Sequence, residues 1–303
     1  MLCFPSVRSV LKRLLALCVF LSCFGFLFES CRRGPLPDSR DIPVIAVSIL
    51  PQSWFVSRIA GDRARTLVLA GQGQNPHNYE PAPKQIASLG EAAAWILSGT
   101  EFEIALRGKI EALFPGLRIV DGTRGLVFRL MEDADDGGEH NIDRHTWLGE
   151  APAKILAGHV RDLLVDIDPD NAEFYRENYA DLVADIEDVF DGLREELAPL
   201  RGRSVFVYHP SFGYFLDEFG IKQEAVETGG KEPGPRELNI LIEKAKREKA
   251  AAIFVQSQFP VSAAAAAAGA AGAEIILLDP LDADWIGNIR RMGDALKKAL
   301  GGV

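Results

Sequence analysis

Cysteine is scarce in this 303-residue chain, and all four cysteines lie within residues 1–31. The rest of the chain therefore cannot form a disulfide, a thiolate metal site or a cysteine nucleophile. Basic residues are also few, since 33 lysines and arginines stand against 43 acidic residues and the net charge is −10. We expect no nucleic-acid partner, because contacts to phosphates need a basic surface. A hydrophobic share of 48% is typical of a globular protein with a substantial core.

Long hydrophobic runs are limited to the first 31 residues, which we interpret as a signal peptide. An uncharged apolar run extends from Leu14 to Phe28, after the basic residues Arg8, Lys12 and Arg13. The run is shorter than the roughly 20 residues of a membrane-spanning helix, and it matches the apolar core of an export signal.

The end of this apolar run is similar to a bacterial lipoprotein processing site. Cys31 follows the small residue Ser30, and Cys23 is the alternative lipid acceptor. Residues 32–42 are polar and contain proline, as expected of a short tether. We therefore expect a periplasmic or extracytoplasmic protein whose membrane contact is through a lipid anchor only.

After the tether, short β-branched runs alternate with helical patterns. The strand candidates are 44–50, 66–70, 95–98, 117–120, 204–208, 222–227, 251–256 and 274–278. Alternation of strands and helices predicts parallel sheets covered on both faces. The alanine-rich run at 263–268 is predicted to be helical, because alanine is the best helix former.

The longest helical pattern covers residues 169–200, with Asp168 placed to cap it and Pro169 in its first turn. Its apolar stripe consists of Tyr175, Tyr179, Leu182, Ile186, Val189, Leu193 and Leu197. The predicted fold class is α/β, with two Rossmann-like lobes of parallel sheet joined by one long linker helix. The N-terminal lobe covers residues 43–168 and the C-terminal lobe covers residues 201–303.

Histidine is rare, with five in the chain, and three of them fall in loops where open α/β sheets bind ligands. His77 follows the strand that ends at Ala70, His209 follows the strand 204–208, and His145 precedes a predicted helix. Asp279 directly follows the strand 274–278. Three imidazoles and one carboxylate suit a zinc site between the two lobes. Each histidine could equally serve as a hydrogen-bonding group, and Asp279 as a turn or helix cap.

The remaining polar candidates give a weaker indication of a metal or catalytic site. His159 lies within a predicted helix, and His140 lies in an acidic loop (132–142), where solvation and weak cation collection are both open. A zinc hydrolase is an alternative function, although the chain lacks an HExxH motif and Glu80 is the nearest candidate base. Nucleotide binding is rejected, because GQGQNP (71–76) lacks the full GxGxxG spacing.

Seven segments, taken together, resemble the periplasmic zinc/manganese solute-binding protein family of bacterial ABC importers. They run in the order of that family through nearly all of residues 43–303. The segments are ILPQSWFVSRIAGD, NPHNYEP, NIDRHTWL, DPDNAEFYRENY, VYHPSFGYFLDEFG, and IFVQSQF followed by LLDPL.

The resemblance implies two lobes joined by one helix, with a single divalent ion between them. Its ligand positions correspond to His77, His145, His209 and Asp279. The implied protein is a monomeric receptor, not an enzyme, that delivers its ion to an ABC permease and its ATPase. A surface adhesin on the same scaffold is an alternative.

The chain also departs from the family pattern. Arg144 stands where a proline usually precedes the second ligand, and Gln256 replaces a common acidic residue. The region before the second ligand is short and acidic, where zinc members often carry a histidine-rich loop. Three imidazoles favour Zn²⁺ as the transported ion, since Mn²⁺ prefers oxygen ligands, and Mn²⁺ or Fe²⁺ is the alternative.

Overall fold

A computed structural model describes residues 42–131, 142–225, 235–248, 250–259 and 261–301 of the chain. The predicted signal peptide with Cys23 and Cys31, nearly all of the tether, and His140 lie outside these residues, so the expectations for them stay predictions. Among the described helices, none has both the length and the apolar character needed to cross a bilayer.

The N-terminal lobe contains a four-stranded parallel sheet with the strand order β2-β1-β3-β4. Its strands are β1 (Val44–Ile49), β2 (Arg65–Ala70), β3 (Ala94–Leu97) and β4 (Arg118–Asp121). Three helices connect or follow them, namely α1 (Leu50–Ala60), α2 (Pro83–Gly90) and α3 (Glu101–Leu113). Strands β1 and β3 are almost completely buried, which explains their continuous apolar sequence.

The C-terminal lobe repeats this arrangement, with the strand order β6-β5-β7-β8 and parallel pairing throughout. Its strands are β5 (Ser204–Val207), β6 (Lys222–Ala225), β7 (Ala252–Gln256) and β8 (Glu274–Leu278). The described part of this half contains four helices, namely α6 (Gly213–Asp217), α7 (Pro235–Arg247), α8 (Val261–Ala271) and α9 (Trp285–Leu300). The predicted class of two parallel α/β lobes is confirmed, and the alanine-rich run is helical.

Along the chain, two long helices follow the first sheet and precede the second. They are α4 (Glu150–Ile167) and α5 (Ala172–Leu197). Short 3-10 turns at 169–171 and 198–200 flank α5, so the predicted linker helix is confirmed. The predicted stripe is buried except for Tyr179, whose ring packs under the Arg161 guanidinium at 4.3 Å. Phe190 is fully buried as well.

The expected capping role of Asp168 is wrong. Its carboxylate caps no backbone N–H of the following helix. Instead it accepts hydrogen bonds from the Tyr175 hydroxyl and the Asn171 side-chain amide. The Asp168 carboxylate therefore fixes the start of α5 through its bonds to the side chains of Asn171 and Tyr175.

A continuous aromatic cluster joins the lobes. Phe55 of α1 and Phe190 of α5 pack against Trp285 of α9, with ring centroids 5.1 Å and 6.4 Å from it. The Trp285 indole donates a hydrogen bond to the Trp147 carbonyl at 2.7 Å. In turn, the Trp147 indole donates to the Pro280 carbonyl at 2.7 Å. The two halves thus share one hydrophobic core, and buried polar groups at this junction are paired.

A group of charged side chains also ties the C-terminal lobe to α4 and α5. Glu218 accepts from the Glu150 backbone N–H at 3.0 Å, at the N-terminus of α4, where negative charge stabilises a helix. Arg194 of α5 donates to the carboxylates of Glu218 and Glu150. Lys154 donates to Glu150 at 2.7 Å and to Glu187 at 3.0 Å.

The Glu150→Gln variant is expected to unfold more easily than the wild type at pH 7, by about 1 kcal/mol. Burial would raise the pKa of Glu150, but the hydrogen bonds and charges of Lys154 and Arg194 more than offset this and lower it. A carboxylate with a lowered pKa stabilises the fold above its unfolded pKa, and this contribution is lost as the pH falls through the folded value. The difference between the variant and the wild type should therefore shrink below about pH 4.

Urea unfolding at pH 7, 5 and 3, with a chelator present, measures this difference. The control is Glu173→Gln, which removes the same charge from an exposed side chain on α5 and should change little. Equal destabilisation of both variants, or a difference that grows in acid, would contradict the assignment.

Candidate metal centre

Three of the predicted histidines lie at the edge where strands of the two sheets end. His77 lies in the loop after β2. His209 lies two residues after Val207, the last residue of β5. His145 begins the 3-10 turn at 146–148, just before α4. His145 and His209 are buried, and His77 is partly buried. Each lobe therefore supplies part of the site, since His77 and His145 belong to the N-terminal lobe and His209 belongs to the C-terminal lobe.

The three imidazole rings converge through their Nε2 atoms. The His77 and His209 Nε2 atoms are 2.9 Å apart, and the His209 and His145 Nε2 atoms are 3.2 Å apart. One nitrogen from each of the three rings lies within 4.8 Å of the other two. Zinc–nitrogen bonds of 2.0–2.1 Å at tetrahedral angles give a nitrogen separation of about 3.3 Å. The observed separations fit one ion held by three imidazoles.

His209 is suited to bind a cation because it is held in the neutral form. Burial lowers its pKa well below the ordinary imidazole value, and the neighbouring His145 and His77 rings lower it further. A neutral imidazole has a free lone pair, which a metal ligand requires. The His209 ring also stacks on Phe259, with ring centroids 4.8 Å apart.

Carboxylates behind two of the rings determine which nitrogen faces the cluster. The His145 Nδ1 lies 2.9 Å from Asp143 Oδ1, and the His77 Nδ1 lies 3.1 Å from Glu101 Oε2. An Nδ1–H that donates to a carboxylate leaves the Nε2 lone pair free for a metal, a common arrangement in metalloproteins. Burial alone would raise the pKa of Glu101, but the hydrogen bond and charge of His77 bring it to about 2.

Asp143, the carboxylate behind His145, is held by Arg129 and by two residues of the opposite lobe, Tyr214 and Asp217. Asp143 is fully buried, and its Oδ2 accepts from Arg129 Nη1 at 3.3 Å. Arg129 Nε in turn donates to Asp217 of α6 at 2.7 Å. The Tyr214 hydroxyl accepts from the Arg129 backbone N–H and donates to the Asp143 carbonyl. His145 is thereby held from both sides.

The loop that carries His209 is fixed by Gln256, the glutamine that replaces the acidic residue common in the family. The buried Gln256 amide donates to the His209 carbonyl at 2.5 Å and accepts from the His209 N–H at 3.3 Å. It also donates to the Ser211 hydroxyl at 2.8 Å. A carboxylate could not donate to that carbonyl, so glutamine does what an acidic side chain at this position could not.

Asp279, the predicted fourth ligand, is not among the three side chains that converge. Its position directly after β8 is as expected. However, Oδ1 accepts from the Gln258 amide at 2.7 Å and from the Leu281 N–H at 2.9 Å, while Oδ2 accepts from Ser257 at 3.1 Å. The structure thus gives Asp279 the bonding of a loop-stabilising residue, the alternative considered from the sequence, and its role as a ligand stays a prediction.

Two other candidates, His159 and Glu80, are not among the converging side chains. His159 lies on α4, and its Nε2 bonds to the Arg124 carbonyl at 2.8 Å, in line with a packing role. Glu80 is exposed and lines a shallow groove beside His77, together with Asn78, Tyr79, Pro81, Glu101, Phe102, Ala105 and Leu106. A small cavity next to the three histidines includes Trp147, Phe259, Pro280 and Leu281 in its wall.

Sequence reasoning missed Glu101 and Asp143. Asp143 stands two residues before His145, a spacing at which a carboxylate can bond both to the backbone and to the ring. Glu101 gave no such local signal, because its contact to His77 joins two separate loops.

The chain matches the family model described as "Zinc-uptake complex component A periplasmic" over residues 45–299. The solved structure described as a crystal structure of ZnuA is 35% identical, with a TM-score of 0.80, and the match covers 86% of this chain and 99% of that one. The high-affinity zinc uptake system protein ZnuA of Bacillus subtilis is 24% identical, with 89% of each chain covered.

A third relative is longer. The zinc-binding lipoprotein AdcA of Streptococcus pneumoniae is 25% identical over 78% of this chain, and this chain spans 50% of the length of AdcA. The family match covers most of the residues that form both lobes, and it includes all three converging histidines. The chain therefore belongs to the family of periplasmic A components of zinc-uptake complexes.

Proposed function

We propose that this protein is the extracytoplasmic receptor of an ABC importer, which captures a divalent transition metal, Zn²⁺ first of all, and delivers it to a membrane permease. The family match and the similarity to zinc-uptake proteins over both lobes support this function. The protein performs no chemistry on the ion in this proposal, and its task is binding and release.

The observation that carries the proposal is the convergence of three imidazole Nε2 atoms in a buried position. Imidazole nitrogens suit Zn²⁺, whereas Mn²⁺ prefers carboxylate, carbonyl and water oxygens. For a given nitrogen-rich site, affinity also rises from Mn²⁺ and Fe²⁺ to Zn²⁺. Zn²⁺ is thus the proposed cargo.

The proposed ligands are His77, His145 and His209, with Asp279 as the fourth. Asp279 is retained because it lies at the same edge of the sheet, and the two residues that follow it line the cavity. A carboxylate oxygen would complete a tetrahedral set of three nitrogens and one oxygen.

The location and partners are proposed from the leader sequence and the family. Lipidation at Cys31, or alternatively Cys23, would anchor a monomer to the membrane through residues 32–42. The lobes at 43–168 and 201–303, joined by 169–200, would both contact the permease, which its ATPase drives.

Calorimetric competition on the metal-free protein tests the cargo. We expect one ion per chain and tighter binding of Zn²⁺ than of Mn²⁺ or Fe²⁺, because the donors are nitrogen atoms. Elemental analysis of the loaded protein provides the stoichiometry independently. Tighter binding of Mn²⁺ would overturn the assignment of zinc, and the absence of any bound transition metal would overturn the receptor function.

A further inference from the structure

Glu101 links two loops of the metal centre. It is the first residue of α3, and its side chain is 44% exposed. One carboxylate oxygen, Oε2, lies 3.1 Å from His77 Nδ1, and the other, Oε1, lies 3.8 Å from Arg144 Nε. Since Arg144 directly precedes His145, Glu101 lies between the loops that carry two of the three imidazoles.

The backbone that carries Glu101 is held firmly. The buried carboxylate of Glu103 accepts hydrogen bonds from the backbone N–H groups of residues 98, 99 and 100 and from the Ser98 hydroxyl, at 2.7–3.1 Å. Gly99 has φ +86°, a conformation that side-chain-bearing residues rarely adopt. Its carbonyl accepts from Arg144 Nη1 at 2.9 Å. The backbone directly before Glu101 is therefore held in place by these hydrogen bonds.

We propose that Glu101 is a positioning residue for His77, which fixes the imidazole in the tautomer and orientation that turn Nε2 toward the ion. The inference rests on the proposed function and adds a residue outside the proposed ligand set. An imidazole without a partner at Nδ1 can rotate and can carry its proton on either nitrogen. Outer partners of this kind typically change metal affinity by about 10–100-fold.

His77 depends on such a partner more than the other two rings do. His145 and His209 are 5% and 2% exposed, so packing already restricts them. The His77 side chain is 16% exposed, and it borders the groove that contains Glu80. Its backbone N–H bonds to Asn75 Oδ1 at 3.0 Å, which holds the backbone but leaves the ring to be fixed by Glu101.

The groove also provides a matched control. Glu80 is exposed on the same groove and carries the same charge, but it lies apart from the three imidazoles. Removal of either carboxylate weakens the long-range attraction for a cation to a similar degree. Removal of Glu101 alone takes away the contact to Nδ1, so the two variants separate positioning from simple charge.

The experiment measures Zn²⁺ affinity of the metal-free full chain by competition with a chelating dye. Glu101→Ala is expected to weaken binding about 10–100-fold, and Glu80→Ala by less than about twofold at physiological salt. Glu101→Gln retains an oxygen that can accept from Nδ1–H, and it should restore part of the lost affinity. Equal losses for Glu101→Ala and Glu80→Ala would overturn the inference.

A spectroscopic measurement excludes a general loss of structure. Nitrogen-15 NMR of the metal-free protein at alkaline pH reports which imidazole nitrogen carries the proton. His77 is expected as the Nδ1–H tautomer in the wild type and as a mixture in Glu101→Ala, with the His145 signals unchanged. An unchanged His77 tautomer overturns the inference. If the wild type itself binds no Zn²⁺ but the tautomer shifts, the receptor function fails while the positioning role stands.

Discussion

The His209→Ala variant is expected to bind Zn²⁺ about 60–700-fold more weakly than the wild type. Four-ligand zinc sites bind with apparent free energies of about 10–16 kcal/mol, or roughly 2.5–4 kcal/mol per ligand, and each 1.4 kcal/mol is tenfold in affinity. His209 is the central ring of the cluster, because its Nε2 lies 2.9 Å from that of His77 and 3.2 Å from that of His145. Its loss leaves two imidazoles and the proposed Asp279 carboxylate, which are too few protein ligands for a closed four-coordinate site.

Dye competition at pH 7.5 on the metal-free proteins measures this loss, and urea unfolding with a chelator present confirms that the variant folds. His159→Ala is the matched control, since it removes the same side chain from α4, where the ring bonds to the Arg124 carbonyl in the loop after β4. The control should bind Zn²⁺ like the wild type. A loss below tenfold for His209→Ala would show that the ion lies elsewhere.

The Trp285→Ala variant is expected to lose about 3–5 kcal/mol of unfolding free energy, as large-to-small substitutions of buried aromatic residues do. Trp285 is 1% exposed and packs against α1 and α5. Its removal also leaves the Trp147 carbonyl without its indole donor. Because total stabilities are about 5–15 kcal/mol, the variant should be only marginally folded at 37 °C.

Circular dichroism in the far ultraviolet follows urea unfolding of this variant without depending on tryptophan emission. Trp285→Phe is the control, since it retains an aromatic ring and loses the indole N–H, and it should cost about 1–2 kcal/mol. Because the core is shared by both lobes, the wild type should unfold in a single transition. A loss under 1 kcal/mol in Trp285→Ala would contradict the shared core.

Most strands could be predicted from sequence because they are short apolar runs bounded by turn residues, although β6 (KQEA) is largely polar. The runs at 44–50 and 251–256 fall on the central strands β1 and β7, which are buried on both faces. The apolar stripe of α5 could be predicted because its residues are spaced three and four apart, which places them on one face of a helix. The role of Asp168 could not, because a side-chain bond to Tyr175 competes with a cap, and only the packed structure decides between them.

The site was predictable to the extent that it depends on strand ends. His77 and His209 follow strands, and a parallel sheet brings such loops to one edge. Glu101 was not predictable in this way, because its bond to His77 depends on the approach of loops from two different strands. The bonding of Asp279 was also beyond sequence analysis, because it depends on Ser257 and Gln258 in the loop after β7.

The aromatic cluster that joins the lobes limits how the ion can leave. Separation of the lobes would expose Phe55, Phe190 and Trp285, which are at most 1% exposed. Rings that bury roughly 150–250 Å² each, at about 25 cal/mol per Å², make this opening cost on the order of 10 kcal/mol. Such a cost is comparable to the whole stability of a domain. We therefore expect small displacements of the histidine loops to govern the residence time of the ion, and the loaded and empty protein to keep nearly the same outer shape.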